Sequence, residues 1–404
     1  MTGGGSTVTM SMVARPETDS QSRVLRHLRD EGPASRAELA DRLVLARPRL
    51  TADLDRLAGS GLIRSGGPAA SRGGRRSTLV ELEPSLRFAG VDLGATSLTL
   101  QVTDAHLNPV ASLEEPIDIR SGPRPVLARV AELLAKLRAD DHFSTLAAVG
   151  VGLPGPVSFR DGVPVSPPIM PGWNRFPVRE RLAREFGCPV VVDNDVNTMM
   201  IGERFGGVAR TVDNVIFVKI GTGIGAGIVA HGVVYRGTDG CAGDIGHIQA
   251  EPDGPVCPCG NVGCLEATFG GAALARDALS QARSGASPPL AERLTAQGTL
   301  SAVDVGLGAS EGDPVCIGLI RDGGRRVGVV LAGLVSFFNP GMIVIGGGLA
   351  RLGHLLLAEI RSVVYRRSLP LATGNMPVVL SELDGRAGVL GAAVLASDLV
   401  YTVS

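Results

Sequence analysis

An α/β chain, with a small helical module ahead of a larger body of two similar halves, is the fold class these 404 residues predict. Three observations carry the prediction. Apolar residues recur at helical spacing from Val24 to Leu57 and then give way to strand-like runs at Leu62-Ile63 and at 78–82. A strand that ends in a small-residue turn and leaves as a second strand occurs twice, over 88–103 and over 215–229. Between the two stands a third strand, 190–192, which opens into a polar turn and a helix.

The first twenty residues are rich in Gly, Ser and Thr without an apolar core, so 1–20 is expected to be a disordered tail and not a signal peptide. Over 21–84 the pattern is three short helices and two strands. Val24, Leu25 and Leu28 form the inner face of the first helix, which Gly32-Pro33 ends. Ser35 and Glu38 make a capping box for the second, which turns Leu39 and Leu43 inward. Pro48 suits the first turn of a third, whose apolar face is Leu50, Leu54 and Leu57 and which Gly59-Ser60-Gly61 stops. The two strands flank a loop with Arg72, Arg75 and Arg76. This is the pattern of a winged helix-turn-helix, in which the third helix enters the major groove of DNA. Arg47, Arg49 and Thr51 are then the candidate groups for bases or phosphates, and the three loop arginines for the backbone or minor groove. The alternative is a small protein-interaction domain. Charge favours DNA: up to Arg87 there are 14 arginines against 10 acidic residues, and the remainder holds 25 basic against 30 acidic.

The body is expected over 85–404, in halves of about 85–205 and 206–404. Its first strand, 88–91, runs into Asp92-Leu93-Gly94-Ala95-Thr96, and its counterpart, 215–220, into Gly221-Thr222-Gly223-Ile224-Gly225-Ala226-Gly227. Paired turns of this kind offer backbone N–H groups to phosphate, although each alone is also consistent with a tight hairpin. Gly346-Gly347-Gly348 follows the strand at 342–345 and leaves room for a flat ring against the backbone. In the polar turn Asp193-Asn194-Asp195-Val196-Asn197, Asp195 is the candidate general base and Asn194 a hydroxyl partner, with helix capping by Asp195 the other reading. The apolar run 327–338 is too short for the roughly 20 residues of a membrane span and is expected to be a buried helix, so no membrane partner is expected.

Gly243-Asp244-Ile245-Gly246-His247 is followed by Cys257, Cys259, Cys264 and Glu266. One imidazole and three thiols suit a tetrahedral zinc site with no open position, so the metal is expected to be structural. The carboxylates of Asp244 and Glu266 flank it. The other cysteines, Cys188, Cys241 and Cys316, stand apart, which fits a reducing cytoplasmic setting better than a disulfide framework.

Taken together, these segments resemble the ROK family of repressors and sugar kinases, over about Gln21 to Ala396. The resemblance implies an actin/hexokinase-like two-subdomain ATPase fold, with zinc on His247, Cys257, Cys259 and Cys264. It implies sugar hydroxyls held by Asn194, Asp195, Asp244, His247 and Glu266, and Asp195 as the base of any kinase. Nucleotide would lie on Asp92, Gly94, Thr96, Gly221, Thr222, Gly223, Gly225 and Gly346 to Gly348, with ATP and Mg²⁺ as cofactors only in an active enzyme. Two positions depart from the kinase pattern. Ala95 and Ser97 stand in Asp92-Leu93-Gly94-Ala95-Thr96-Ser97 where sugar kinases read Asp-x-Gly-Gly-Thr-Lys, and Asp244 is one methylene shorter than the usual Glu. Should position 95 need a left-handed backbone, alanine costs roughly 1–2 kcal/mol there. With the front module, these departures favour a sugar-responsive, DNA-binding repressor working as a homodimer or homotetramer on an operator, with a sugar or sugar phosphate as effector. An ATP-dependent hexose or amino-sugar kinase is the alternative, and a body used only for assembly a third.

Overall fold

The computed structural model describes residues 14–68 and 78–403. The wing arginines Arg72, Arg75 and Arg76 lie outside these, as do the first thirteen residues of the expected tail. Helix α1, Asp19–Glu31, begins inside the span expected to be tail, where the Thr18 side chain accepts from Gln21 N. Helix α2, Arg36–Arg42, opens on the capping box: Glu38 N donates to Ser35 Oγ at 3.2 Å and Ser35 N to Glu38 Oε2 at 2.8 Å. Helix α3, Arg47–Gly59, has its proline in the first turn. Strands β1 (Ala34–Ser35), β2 (Ile63–Pro68) and β3 (Thr78–Leu82) form a small sheet in the order β1-β3-β2. Two-residue β1 escaped the sequence pattern because it is too short to alternate. Val24, Leu25, Leu28, Leu39, Leu50, Leu54, Leu57 and Leu82 are at most 2 % exposed. Each such side chain contributes roughly 1.5–3 kcal/mol, so they supply this module with its own core.

The body contains two five-stranded mixed sheets of one design. In the first, β4 (Phe88–Leu93) pairs antiparallel with β5 (Ser97–Thr103), which pairs with β6 (Pro109–Pro116). On its other side β4 runs parallel to β7 (Ala148–Leu153), and β7, across the hairpin β8 (Val157–Ser158) and β9 (Val163–Pro164), precedes its parallel neighbour β10 (Val190–Asn194). In the second, β11 (Val215–Ile220), β12 (Ile224–Ala230) and β13 (Val233–Val234) are the antiparallel run. Strands β14 (Met342–Gly346) and β15 (Val378–Leu380) follow parallel beside β11. Strand order and polarity agree throughout, so the two similar strand-turn-strand motifs belong to two equivalent sheets. The second turn is shorter than expected: β12 begins at Ile224, and Gly225 and Gly227 pair with Lys219 and Phe217 inside the ladder.

The chain divides into a unit running to Thr198 and resumed from Val389, and a second unit from Met199 to Gly388. The expected boundary, with everything after 206 in one half, therefore fails at its end. The C-terminal helix Arg386–Tyr401 packs on the first sheet, and two glycines explain how. Gly90 and Gly150 are side by side across β4 and β7. A Cβ on Gly90 would lie 2.2 Å from Val389 O, and one on Gly150 1.9 Å from Ala392 O, so only glycine lets the helix backbone come this close. The opposite face carries Ala89, Val91, Val149 and Val151 against helix Pro123–Ala139. In the second unit, helix Pro314–Phe338 packs on Ile216, Val218, Ile343 and Ile345. Its apolar run is buried at Val327, Val330, Leu331 and Val335, as expected, while Val329 and Phe337 face outward, 45 % and 88 % exposed.

Candidate functional site

The second unit carries the zinc segment. His247 ends a short 3₁₀ turn, Ile245–His247, and the three cysteines lie on the loop before helix Leu265–Phe269. Their ligand atoms all fall within 4.8 Å of one another. Cys257 Sγ is 3.6 Å from His247 Nδ1, and Cys259 Sγ is 3.7 Å from Cys264 Sγ. Bonds of about 2.3 Å to sulfur and 2.0 Å to nitrogen place tetrahedral ligands about 3.5–3.8 Å apart, so the four residues have the spacing of a structural zinc site. Burial raises the thiol pKa of Cys257 and of Cys264, the latter to about 12, whereas the Asn261 backbone amide lowers that of Cys259.

Two glycines of the Gly-x-x-Gly-His turn seat this loop on β12. Gly243 has φ +99, and a Cβ there would lie 1.8 Å from Ala226 O; one on Gly246 would lie 2.2 Å from Ile224 O. His247 Nδ1 is turned to the sulfurs and Nε2 faces Asp244 Oδ1 at 3.8 Å, so zinc on Nδ1 would leave the hydrogen of a neutral ring on Nε2. That gap is too long for a direct hydrogen bond. Glu266, the second residue of helix Leu265–Phe269, accepts from Ile224 N at 3.0 Å. Its Oε2 stands 2.5 Å from where a Cβ of Gly223 would be, which explains the glycine. Asp244, His247 and Glu266 are thus brought to one side of the β11–β12 turn. The third small-residue turn joins them: a Cβ on Gly221 would be 3.8 Å from Gly348 N, and Gly347, at φ +85, leaves 2.6 Å to Ile220 O. Thr222 is exposed at the tip and Gly225 and Gly346 are within strands.

In the first unit, Asn194 ends β10 and Asp195 begins helix Asp195–Gly206. Asn194 braces the start of the helix: Val196 N donates to Asn194 Oδ1 at 2.9 Å, and Asn194 Nδ2 donates to Gly155 O at 2.7 Å. Asp195 is 3 % exposed. Asp193 and Asn197 have a structural role that the sequence did not reveal. Asp193 Oδ1 accepts from Asn194 N and Asn197 Nδ2 at 2.8 and 2.9 Å, so it fixes the turn that presents its neighbours. The Asp-Asn-Asp-x-Asn spacing, one helical turn from 193 to 197, was the available signal. At the β4–β5 turn neither Gly94 nor Ala95 has a positive φ, so the backbone penalty conceived for alanine does not arise. Gly94 N donates to Ser97 O at 2.8 Å, and Ser97 Oγ lies 2.8 Å from the place of a Gly94 Cβ. Asp92 is half-buried on β4 and Thr96 exposed.

On the front module, Arg47, Arg49 and Thr51 are all exposed at the start of α3. Arg49 is also braced: its Nε donates to Asp53 Oδ2 at 3.1 Å and to Ser20 Oγ at 3.2 Å. Asp53 is 1 % exposed and takes a further hydrogen bond from Gln21 Nε2 at 3.3 Å. A buried carboxylate one turn on was the missed element here, and its sign was a charge on the apolar side of the helix beside Leu50, Leu54 and Leu57. No helix in the described residues is long and apolar enough to cross a membrane.

Comparison with known proteins places these features together. The ROK family profile matches residues 88–399, and the MarR family profile matches 18–66. A putative xylose repressor from Caldicellulosiruptor sp. (strain Rt8B.4) is 30 % identical over 384 residues, 93 % of this chain and 95 % of its own. Glucokinase from Thermotoga maritima is 32 % identical over 326 residues, 99 % of its own length but 78 % of this chain. A crystal structure of a ROK family transcriptional regulator, homologous to the E. coli MLC protein, superposes with a TM-score of 0.81 at 27 % identity, covering 94 % of this chain and 96 % of that one.

Proposed function

The chain belongs to the ROK family and is a transcriptional regulator with a winged helix-turn-helix, and we propose that it is a repressor whose body binds a sugar or sugar phosphate and thereby changes its grip on operator DNA. The front module carries this reading, because the repressor relative aligns along nearly the whole chain while the glucokinase aligns with the body alone. Arg47, Arg49 and Thr51 are the proposed DNA-contacting residues of α3, with Arg72, Arg75 and Arg76 of the wing. Arg49, held by Asp53, is pre-set for a bidentate contact to guanine or phosphate.

Asp244, His247 and Glu266 in the second unit, and Asn194 and Asp195 in the first, are the proposed sugar-binding groups. A hydroxyl that accepts from His247 Nε2 and donates to Asp244 spans their 3.8 Å gap better than direct contact does. Zinc supplies rigidity by holding the Nδ1 side of the imidazole. The protein is further proposed to act in the cytoplasm as a homodimer or homotetramer, since paired half-sites on DNA call for paired modules. The test is retention of a fragment of the gene's own upstream DNA, with and without glucose, xylose, N-acetylglucosamine and their phosphates. Sugar-dependent release is expected, and no DNA retention in any condition would exclude a regulator of its own region.

The glycine turns favour a second reading, an ATP-dependent sugar kinase, because the Gly221–Gly223 and Gly346–Gly348 turns converge in one unit. Asp195 would then take the proton of the attacking hydroxyl, with ATP on the two turns and Mg²⁺ near Asp92. Sugar-dependent ADP release that Asp195→Asn abolishes would establish it.

A further inference from the structure

The buried face of α1 holds a charge that neither the DNA contacts nor the sugar site uses. Arg29 follows Val24, Leu25 and Leu28 along the inner side of the helix, and its side chain is only 6 % exposed. Its guanidinium reaches the C-terminal helix, 369 residues on. Nη1 donates to Ser397 Oγ at 2.8 Å and to Asp398 Oδ1 at 2.7 Å, while Nε donates to Asp30 Oδ1 at 2.7 Å. Burial pulls the guanidinium pKa down, but the charges and hydrogen bonds of Asp398 and Asp30 outweigh it and hold the pKa above its ordinary value.

The contact is reinforced on either side. Val403 N donates to Ser22 Oγ at 2.9 Å, which ties the chain end to the first turns of α1. Tyr401 is fully buried, donates its hydroxyl to Ala105 O at 3.1 Å and sets its ring edge-on to Phe88, 5.4 Å between centroids. The other end of the same helix lies against Gly90 and Gly150 on the β4 and β7 backbones. One continuous helix therefore touches the central strands of the first sheet and the DNA-binding module, and a backbone seated on glycines leaves no flexible side chain to absorb displacement. A tethered module would need none of this: a charge is placed in a desolvated junction only at considerable cost, and its geometry fixes direction as well as distance.

We propose that Arg29, clamped by Ser397 and Asp398, is a positioning residue that makes the winged helix-turn-helix move with the first sheet, so that ligand binding in the body re-aims α3 through the C-terminal helix. The second half of this proposal rests on the regulator reading above; the first half, that the clamp sets the orientation of the module, does not. The experiment compares the full chain with Arg29→Met and the milder Asp398→Asn, whose partner carboxylate is 38 % exposed. Hydrogen exchange, read without DNA or sugar, is expected to rise about tenfold or more in α1 and in the last turns of the C-terminal helix, with β11 and zinc content unchanged. Affinity for the upstream DNA fragment is expected to stay within about threefold in the absence of sugar, while the effect of glucose, xylose or N-acetylglucosamine on it falls to near unity. Arg29→Lys, which keeps the charge and loses the fork, is expected to restore part of that response. Unchanged exchange in both variants would overturn the clamp. Raised exchange with an undiminished sugar response would overturn the relay, and failure of the wild-type chain to bind DNA would count against the regulator reading and leave the exchange result to decide the clamp.

Discussion

Val44 sits in the turn between α2 and α3 with φ 51 and 87 % of its surface exposed. A β-branched residue there crowds its own carbonyl, at a cost of roughly 1–2 kcal/mol. Glycine would relieve that and forfeit about 0.5–1 kcal/mol of backbone entropy. Val44→Gly is therefore expected to stabilise the chain by about 0.5–1 kcal/mol, read from the denaturant midpoint; a loss of stability would show that the αL geometry carries no strain. Gly223 makes the opposite case. Its missing Cβ leaves 2.5 Å to Glu266 Oε2, so Gly223→Ala must push that carboxylate off Ile224 N. A displacement near 1 Å costs on the order of 100-fold where geometry governs, and sugar affinity by calorimetry is expected to drop at least about tenfold with the melting temperature nearly unchanged. Equal affinity would remove Glu266 from the proposed sugar site.

Helix Pro314–Phe338 is N-capped by Asp313, which accepts from Cys316 N at 3.2 Å and from Ser287 Oγ at 2.7 Å. Burial raises the Asp313 pKa, but these hydrogen bonds prevail and hold it below the usual carboxylate value. A depressed pKa gives stability above the unfolded value near 3.9 that is lost as pH falls through the folded one. Asp313→Ala is thus expected to cost about 1–2 kcal/mol at neutral pH, and the difference from wild type should shrink below about pH 4 in urea titrations. The metal loop obeys a different rule, since structural zinc brings roughly 10–16 kcal/mol of apparent binding free energy in small peptides. Cys259→Ser is expected to release the one zinc per chain and expose 250–264 to protease while β4 to β7 keep their protection; protease resistance without zinc would contradict it. Signals confined to a short stretch of chain were legible in the sequence: the Ser35–Glu38 box, the proline in α3, the ligand spacing from His247 to Cys264. Contacts between distant segments were not. Gly225 and Gly227 read as turn residues because their pairing with Lys219 and Phe217 in the β11–β12 ladder is a contact set by folding. The return of the C-terminal helix to Gly90 and Gly150 was hidden for the same reason, as was Arg29.

At the level of the whole molecule, one chain presents one recognition helix, and repression of an operator with two half-sites takes two copies held at a fixed separation. Sugar can then act in two ways: it can weaken every phosphate contact a little, or it can leave one module bound and put the other out of register. Salt separates them, because log K falls with log salt at about −0.9 per neutralised phosphate. With Arg47 and Arg49 contributing from each of two copies, the slope without sugar is expected to be near −4 or steeper. If the modules are swung apart as rigid bodies, as a clamped Arg29 requires, the sugar-bound complex keeps one module on DNA and its slope falls to about half. Uniform weakening instead lowers K at every salt concentration and leaves the slope as it was. Fluorescence anisotropy on a labelled upstream fragment between 50 and 300 mM salt, roughly the range over which such slopes are linear, decides between them. A halved slope identifies register as the regulated quantity; an unchanged slope with lowered affinity would place the sugar's effect within each DNA-binding module and not in their spacing.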